Sequence, residues 1–150
     1  MKLSQHFSLE ELVASEMATR LHIDNVPSAE TVRHLVRLAE TLERARRALD
    51  GHPLHITSGY RSEELNRVVG GSANSMHCLG LAADFICPSF GSPFEVCRQL
   101  VRAQVPVDQL IYEFAEWTHL GLAPEGIPLR YQQLTITDRA KGYELGLRLV

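Results

Sequence analysis

The stretch Ser75-Met76-His77-Cys78-Leu79-Gly80-Leu81-Ala82-Ala83-Asp84 sets a histidine and an aspartate seven residues apart, with a glycine and small residues between them. Leu81 to Ile86 reads as a short buried strand, apolar except for Asp84. A carboxylate in such a strand is costly unless it is paired or bound to a metal. His77 precedes the strand on a loop that Gly80 allows to turn tightly. A second histidine, His119, follows in Glu116-Trp117-Thr118-His119-Leu120-Gly121, another short strand pattern. Alternation along it sets Trp117, His119 and Gly121 on one face, and Thr118, Leu120 and Leu122 on the other, toward the core. Two imidazoles and one carboxylate suit a zinc ion with a fourth position open to water, the feature that distinguishes catalytic from structural zinc.

Working outward, residues 8 to 15 read as a short helix capped by Ser8, with Glu11 completing a capping box. His22 to Pro27 is a loop. Ser28 caps a long helix running to about Leu49, with Val32, Leu35, Val36, Ala39, Leu42 and Leu49 as its apolar stripe. Arg33, Arg37, Arg44, Arg46 and Arg47 make its other side basic, a solvated face or, alternatively, a patch that touches an anionic polymer. Asp50-Gly51 stops it. Leu54 to Ser58 is a strand, and Ser62 to Val69 a short helix with acidic residues in its first turn. Ser92-Pro93-Phe94-Glu95 is a strong helix start, with cap, first-position proline and capping-box glutamate. That helix ends near Gln104, before Pro106. Val107 to Glu113 and Trp117 to Leu122 form two antiparallel strands on a short turn. Tyr131 to Thr137 is a last strand, and the residues after Ala140 carry only a weak signal. Helices first and strands later, on short connections, predict an α+β fold with an antiparallel sheet.

The 150 residues allow one domain, 1–150, with a real core. A net charge of −3 gives no electrostatic case for nucleic acid. No run approaches the ~20 apolar residues of a membrane span, so no membrane insertion is expected. No signal-peptide h-region follows Lys2, which predicts cytoplasmic synthesis. The three cysteines, Cys78, Cys87 and Cys97, are odd in number and lack a CxxC, which fits a reducing compartment better than a disulfide framework. His6, His22, His34, His52 and His55 read as structural or exposed.

Ser-x-His-x-x-Gly-x-Ala-x-Asp followed by Trp-x-His resembles the zinc D-alanyl-D-alanine carboxypeptidases and related peptidoglycan endopeptidases. Thr57-Ser58-Gly59-Tyr60-Arg61-Ser62 with Leu65-Asn66, the segment Asp108 to Phe114, and the opening Leu3-Ser4-Gln5-His6-Phe7 resemble the same family. The resemblance runs from Leu3 to Leu122. It implies the hedgehog/DD-peptidase fold, a small antiparallel sheet flanked by helices. It also implies one zinc ion per chain on His77, Asp84 and His119, and hydrolysis of peptidoglycan stem peptides, at D-Ala-D-Ala or at L-Ala-D-Glu. Many such enzymes are phage or prophage lysis proteins (endolysins), acting on the wall after release. A monomer is expected.

Such a peptidase needs a group to take a proton from the attacking water. Glu116, three residues before His119, has the spacing of the family's catalytic acid, and Glu113, six residues before, is its rival. The resemblance places the family's active-site arginine at Arg61, where a guanidinium can steady the oxyanion or hold a substrate carboxylate. Tyr60 and Gln109 are expected to line the cleft, and Ser75 to support His77 at the substrate site. Trp117 is expected in hairpin packing, or as a shelf for a peptide stem. The alternative reading is a non-catalytic zinc-binding module, or a phage structural component, of the same fold.

Overall fold

The computed structural model describes residues 1–150. Five α-helices are formed: α1 Leu9–Val13, α2 Glu16–Leu21, α3 Ala29–Ala48, α4 Glu63–Val68 and α5 Pro93–Arg102. Six strands make one sheet: β1 His55–Ser58, β2 Ala82–Ile86, β3 Gln109–Glu113, β4 Trp117–Gly121, β5 Gln132–Ile136 and β6 Tyr143–Leu145. A 3₁₀ turn, Met76–Leu79, precedes β2.

Local chemistry sets the helix starts. Ser8, Ser15, Ser28, Ser62 and Ser92 each accept a backbone N–H of the first turn. Such a cap stabilises a helix by about 1 kcal/mol. At α5 the glutamate also reaches back, so the capping box is complete. The helix α2 falls in the segment between the first helix and the loop and was not expected. It is one short element with a single buried residue, Ala18, too brief for a periodic pattern.

The strand order is β1-β2-β4-β3-β5-β6. All neighbours pair antiparallel except β3 and β5, which are parallel. The expected α+β class with a sheet flanked by helices is what forms, with this one parallel pair as a departure from an all-antiparallel sheet. Its cause is geometric. The chain leaves β4 at the end where β3 begins, passes that end through residues 122–131, and enters β5 in the same sense as β3. Asp108, just before β3, holds the passage. Its carboxylate accepts bonds from the Arg130 backbone N–H at 3.1 Å and from the guanidinium at 3.0 and 2.8 Å.

The two faces of the sheet differ. On one, Ala83, Phe85, Leu110, Tyr112 and Leu120 pack against α3 and α5 in a core that includes Leu35, Leu38, Ala39, Leu42, Ala45 and Leu49. Leu38 and Ala45 join the buried stripe of α3, while Val32 and Val36 stay half-buried. Truncating one of these core leucines to alanine costs about 2–5 kcal/mol. The other face carries a small apolar cluster, Ile111, Leu134 and Ile136, and beside it the polar residues of the site.

Candidate active site

Strand register assembles the site on that second face. Asp84 on β2 is the partner of His119 on β4, which pairs with Ile111 on β3. One step along the strands, Trp117 pairs with Glu113, Glu113 with Ile136, and Ile136 with Tyr143. Directly paired residues project to the same face. Asp84, His119 and Glu113 are therefore brought together by hydrogen-bonded backbone in the middle of the sheet, not by loops.

His77 arrives from the 3₁₀ turn. The Ser75 hydroxyl caps the turn by accepting the His77 N–H at 3.2 Å, and Gly80 ends it at φ +74°. A Cβ on Gly80 would stand 2.9 Å from the Thr31 methyl and 3.0 Å from its carbonyl oxygen on α3. Glycine is required there both for the backbone angle and for the close approach. The His34 imidazole bonds the Leu79 carbonyl at 2.6 Å and anchors the turn to α3. Sequence gave no reason to assign His34 this task, because its partner is a backbone group 45 residues away.

His77 is buried, and its Nδ1 bonds the Gly59 carbonyl oxygen at 2.7 Å. A carbonyl can only accept, so Nδ1 carries the proton and Nε2 is left with a free lone pair. That Nε2 lies 3.3 Å from Asp84 Oδ1. The same oxygen lies 2.9 Å from His119 Nδ1. The two rings meet edge-on, 5.1 Å between centroids. Burial pushes the His77 imidazole below its ordinary value, against the pull of Asp84. Burial alone would raise the Asp84 carboxyl, but the two imidazoles outweigh it and hold it well below the usual carboxylate range. For His119, burial disfavours the cation, yet the hydrogen bond that its Nδ1–H donates to Asp84 and the charges of Asp84 and Glu113 raise it.

One donor atom from each of His77, Asp84 and His119 lies within 4.8 Å of the others. Donors around a tetrahedral cation with bonds of about 2.0–2.2 Å stand about 3.3–3.6 Å apart. The spacings of 3.3 and 2.9 Å to Asp84 are within a small adjustment of that figure. Three convergent donors, one anionic, with His77 fixed in the tautomer that leaves Nε2 free, fit a divalent metal.

A cleft of about 560 Å³ opens over this group. One wall is the segment from Val69 to Met76 with Arg61, and the other is β5, β6 and the turn between them. Arg61 is fastened at its backbone N–H to the His77 carbonyl, at 3.1 Å. Its Nη2 donates to Ser75 Oγ at 3.4 Å, and its buried Nε has no partner. Gln109 lines the cleft and donates to Gln132 Oε1 at 2.7 Å. Ser75 and Trp117 also line it.

Two expected positions differ. Tyr60 is half-buried and does not line the cleft; its phenol lies near Cys78, Asp24 and Glu63. The reason is Gly59, pressed so closely on α1 that an added Cβ would sit 2.1 Å from the Leu12 carbonyl oxygen. With the Gly59 carbonyl committed to His77 and the Tyr60 N–H to Leu12, the chain turns the Tyr60 side chain away from the site.

Glu116, expected as the proton acceptor, is exposed in the β3–β4 turn and does not line the cleft. Phe114 and Ala115 both take positive φ, 55° and 56°, and the Glu116 N–H bonds the Glu113 carbonyl at 2.9 Å. This tight turn consumes residues 114–116, so Glu113 pairs with Trp117 and shares the face of His119. Glu113 Oε1 is 3.5 Å from His119 Nδ1, and Oε2 accepts the Trp117 indole N–H at 3.1 Å. Burial and the neighbouring Asp84 charge push its carboxyl above the ordinary range, against the attraction of His119. Hairpin pairing, rather than distance along the chain, is what sets Glu113 and not Glu116 on the face of His119.

Arg130, Arg139, Leu134, Ile136 and Tyr143 complete the cleft from the C-terminal part of the chain, where the sequence pattern was weak. Comparison with curated proteins returned no match. The sequence profile described as peptidase M15 matches residues 5–121, from before α1 to the end of the His119 strand, and the chain belongs to that family of metal-dependent peptidases.

Proposed function

We propose that the protein is a zinc-dependent peptidase that hydrolyses peptidoglycan stem peptides, with His77, Asp84 and His119 as the metal ligands and Glu113 as the general base. The observation that carries this reading is the cluster itself. Three donors converge at the floor of an open cleft, and a half-buried carboxylate that is not among them stands 3.5 Å from one of the three. When bound, zinc supplies Lewis-acid polarisation of a carbonyl and makes water a stronger acid at neutral pH.

The chain's own groups do the rest. Glu113, whose carboxyl burial pushes above its ordinary range, is suited to taking a proton and returning it to the leaving amine. Its bond from Trp117 fixes one oxygen and leaves the other facing the ligands. Arg61, with an unpartnered Nε and a planar fork, is suited to the negative charge that builds on the carbonyl oxygen, or to a substrate carboxylate. Gly59 and Ser75 orient His77, and Gln109 contributes an amide to the cleft. Asp84 balances its two imidazoles and keeps them convergent.

The test joins metal content to products. Purified protein should hold about one zinc per chain by elemental analysis. Mass spectrometry of wall fragments after incubation should show cleavage within stem peptides. His77→Ala and His119→Ala should each lose the metal and the activity. Full zinc occupancy in the double alanine variant, or wall peptides left intact by the zinc-loaded parent, would overturn the assignment.

A further inference from the structure

The walls of the cleft differ in origin. The metal ligands, Arg61 and Glu113 all lie within residues 5–121, the segment the family profile matches. The opposite wall, made by β5, β6 and the turn between them, lies beyond it. That turn is well built. Ala140 N–H bonds the Asp138 carboxylate at 2.8 Å, and the Lys141 and Gly142 N–H groups bond its carbonyl at 3.1 Å each. It presents Arg139, whose Nη1 donates across the cleft to the Gly70 carbonyl at 2.8 Å. The guanidinium carbon lies 6.0 Å from the centre of the Phe114 ring, a cation–π distance.

Charge accounting singles this side chain out. The cleft's carboxylates are already engaged: Asp84 with two histidines, Asp108 with Arg130, and Glu113 with His119 and Trp117. Arg61 and Arg139 have no carboxylate within ion-pair distance. Arg61 stands next to the ligands. Arg139 uses one of its five N–H donors on Gly70, so a fork remains for another acceptor. Between the ligands and Arg139 the floor is apolar, made by Ile111, Leu134 and Ile136. From β4 across to β5 is two strand spacings, about 10 Å. An extended peptide crosses that distance in about three residues, and the arginine side chain shortens the gap further.

We propose that Arg139 is a specificity-determining residue: it binds a carboxylate of the substrate that lies within about two residues of the scissile bond, beyond a small apolar side chain resting on Ile111, Leu134 and Ile136. The inference rests on the peptidase reading and narrows its substrate class to acidic peptides. The carboxylate has two possible sources, the free C-terminus of a peptide ending D-Ala-D-Ala, or the acidic residue of an L-Ala-D-Glu unit. In the first, the terminal alanine supplies the small apolar side chain; in the second, the methylenes of the acidic residue itself do; and in either a guanidinium fork reads the carboxylate with two parallel bonds.

The experiment compares matched peptides on the zinc-loaded full chain. One pair is a D-Ala-D-Ala peptide as free acid and as C-terminal amide. The other is an L-Ala-D-Glu peptide and its D-Gln analogue. Binding is read by the fluorescence of Trp117, the protein's only tryptophan and a cleft residue, and turnover is read as kcat and KM. The parent should prefer the acid of one pair by roughly ten- to hundredfold, the range for hydrogen bonds to charged groups. Arg139→Gln should collapse that ratio to about twofold or less, mainly through KM, and Arg139→Lys should keep part of it. Because the readout is a ratio, a general loosening of the turn lowers both members alike and leaves the ratio standing. The pair that responds identifies the carboxylate. A parent without acid preference in either pair, or an Arg139→Gln protein that keeps the full preference, overturns the proposal. Acid preference in binding that depends on Arg139, in a parent that hydrolyses nothing, upholds the carboxylate site and overturns the peptidase reading.

Discussion

Glu113→Gln is the substitution that most sharply separates chemistry from architecture. The amide has nearly the size of the carboxyl. Its oxygen can still accept the Trp117 indole N–H, now at 3.1 Å from Oε2, while its nitrogen takes the place of Oε1, 3.5 Å from His119. What disappears is the proposed proton acceptor. A positioned general base contributes about 10²–10⁴-fold to rate, which at 1.36 kcal/mol per tenfold is about 2.7–5.4 kcal/mol of transition-state stabilisation. Stability should move differently. Burial disfavours the Glu113 anion in the fold, so its folded pKa lies above the unfolded one. A carboxyl raised in this way contributes a penalty that develops as pH rises past its unfolded value, and the neutral amide lacks that penalty. In protein freed of metal by chelation, Glu113→Gln should therefore melt no lower than the parent at pH 7. The assay is kcat/KM on a defined stem peptide, with zinc content and thermal melts on the same preparations, and Glu116→Gln as control. Glu116 is exposed at the turn, so its replacement should fall within about half a kcal/mol of the parent in stability and leave turnover nearly unchanged. If Glu116→Gln is inactive and Glu113→Gln turns over normally, the geometric argument for Glu113 is wrong.

Three further outcomes are expected. Arg61→Lys keeps the charge but loses the planar fork, so turnover should fall steeply with zinc retained; a variant as active as the parent would remove Arg61 from the reacting carbonyl. Gly59→Ala drives a methyl to 2.1 Å from the Leu12 backbone oxygen and should cost about 1–3 kcal/mol or more in urea unfolding, whereas an unchanged midpoint would mean that α1 yields freely. The hydrogen bonds from Arg130 hold the Asp108 carboxyl below its ordinary range, so the stability it confers is present above its unfolded pKa of about 3.9 and lost as pH falls through the lower folded value. Asp108→Asn should accordingly destabilise by about 1–2 kcal/mol at pH 7 and flatten the acid limb of the stability curve, and parallel parent and variant curves would contradict this.

The elements that sequence made legible are those with local causes. Ser92, Pro93 and Glu95 define the start of α5 without reference to any other part of the chain, and Ser28 does the same for α3. The strands carrying Asp84 and His119 were legible because a polar residue interrupts an apolar run. What sequence withheld depends on pairing between distant segments. The placement of Glu113 rather than Glu116 beside His119 rests on a turn built from Phe114 and Ala115, two non-glycine residues in left-handed conformations that no turn preference would nominate. The parallel placement of β5 rests on the grip of Asp108 on Arg130, 22 residues away. The outward turn of Tyr60 follows from the contact of Gly59 with α1, which neither residue type announces.

The division of labour between the two sheet faces explains how these constraints coexist. On the helix-covered face the side chains are apolar, and Thr118 is matched with Cys97 at 3.3 Å. That face supplies the burial that holds the sheet together. It leaves the second face free to carry Asp84, His119 and Glu113 in the middle of the sheet, where their backbones are bonded on both sides and cannot drift. Buried polar groups of this kind are tolerated only when each has a partner. Here Gly59, Asp84 and Trp117 provide partners for His77, His119 and Glu113 in turn. Arg61 Nε is the exception beside this cluster, and its missing partner is the feature that a substrate oxygen is suited to supply.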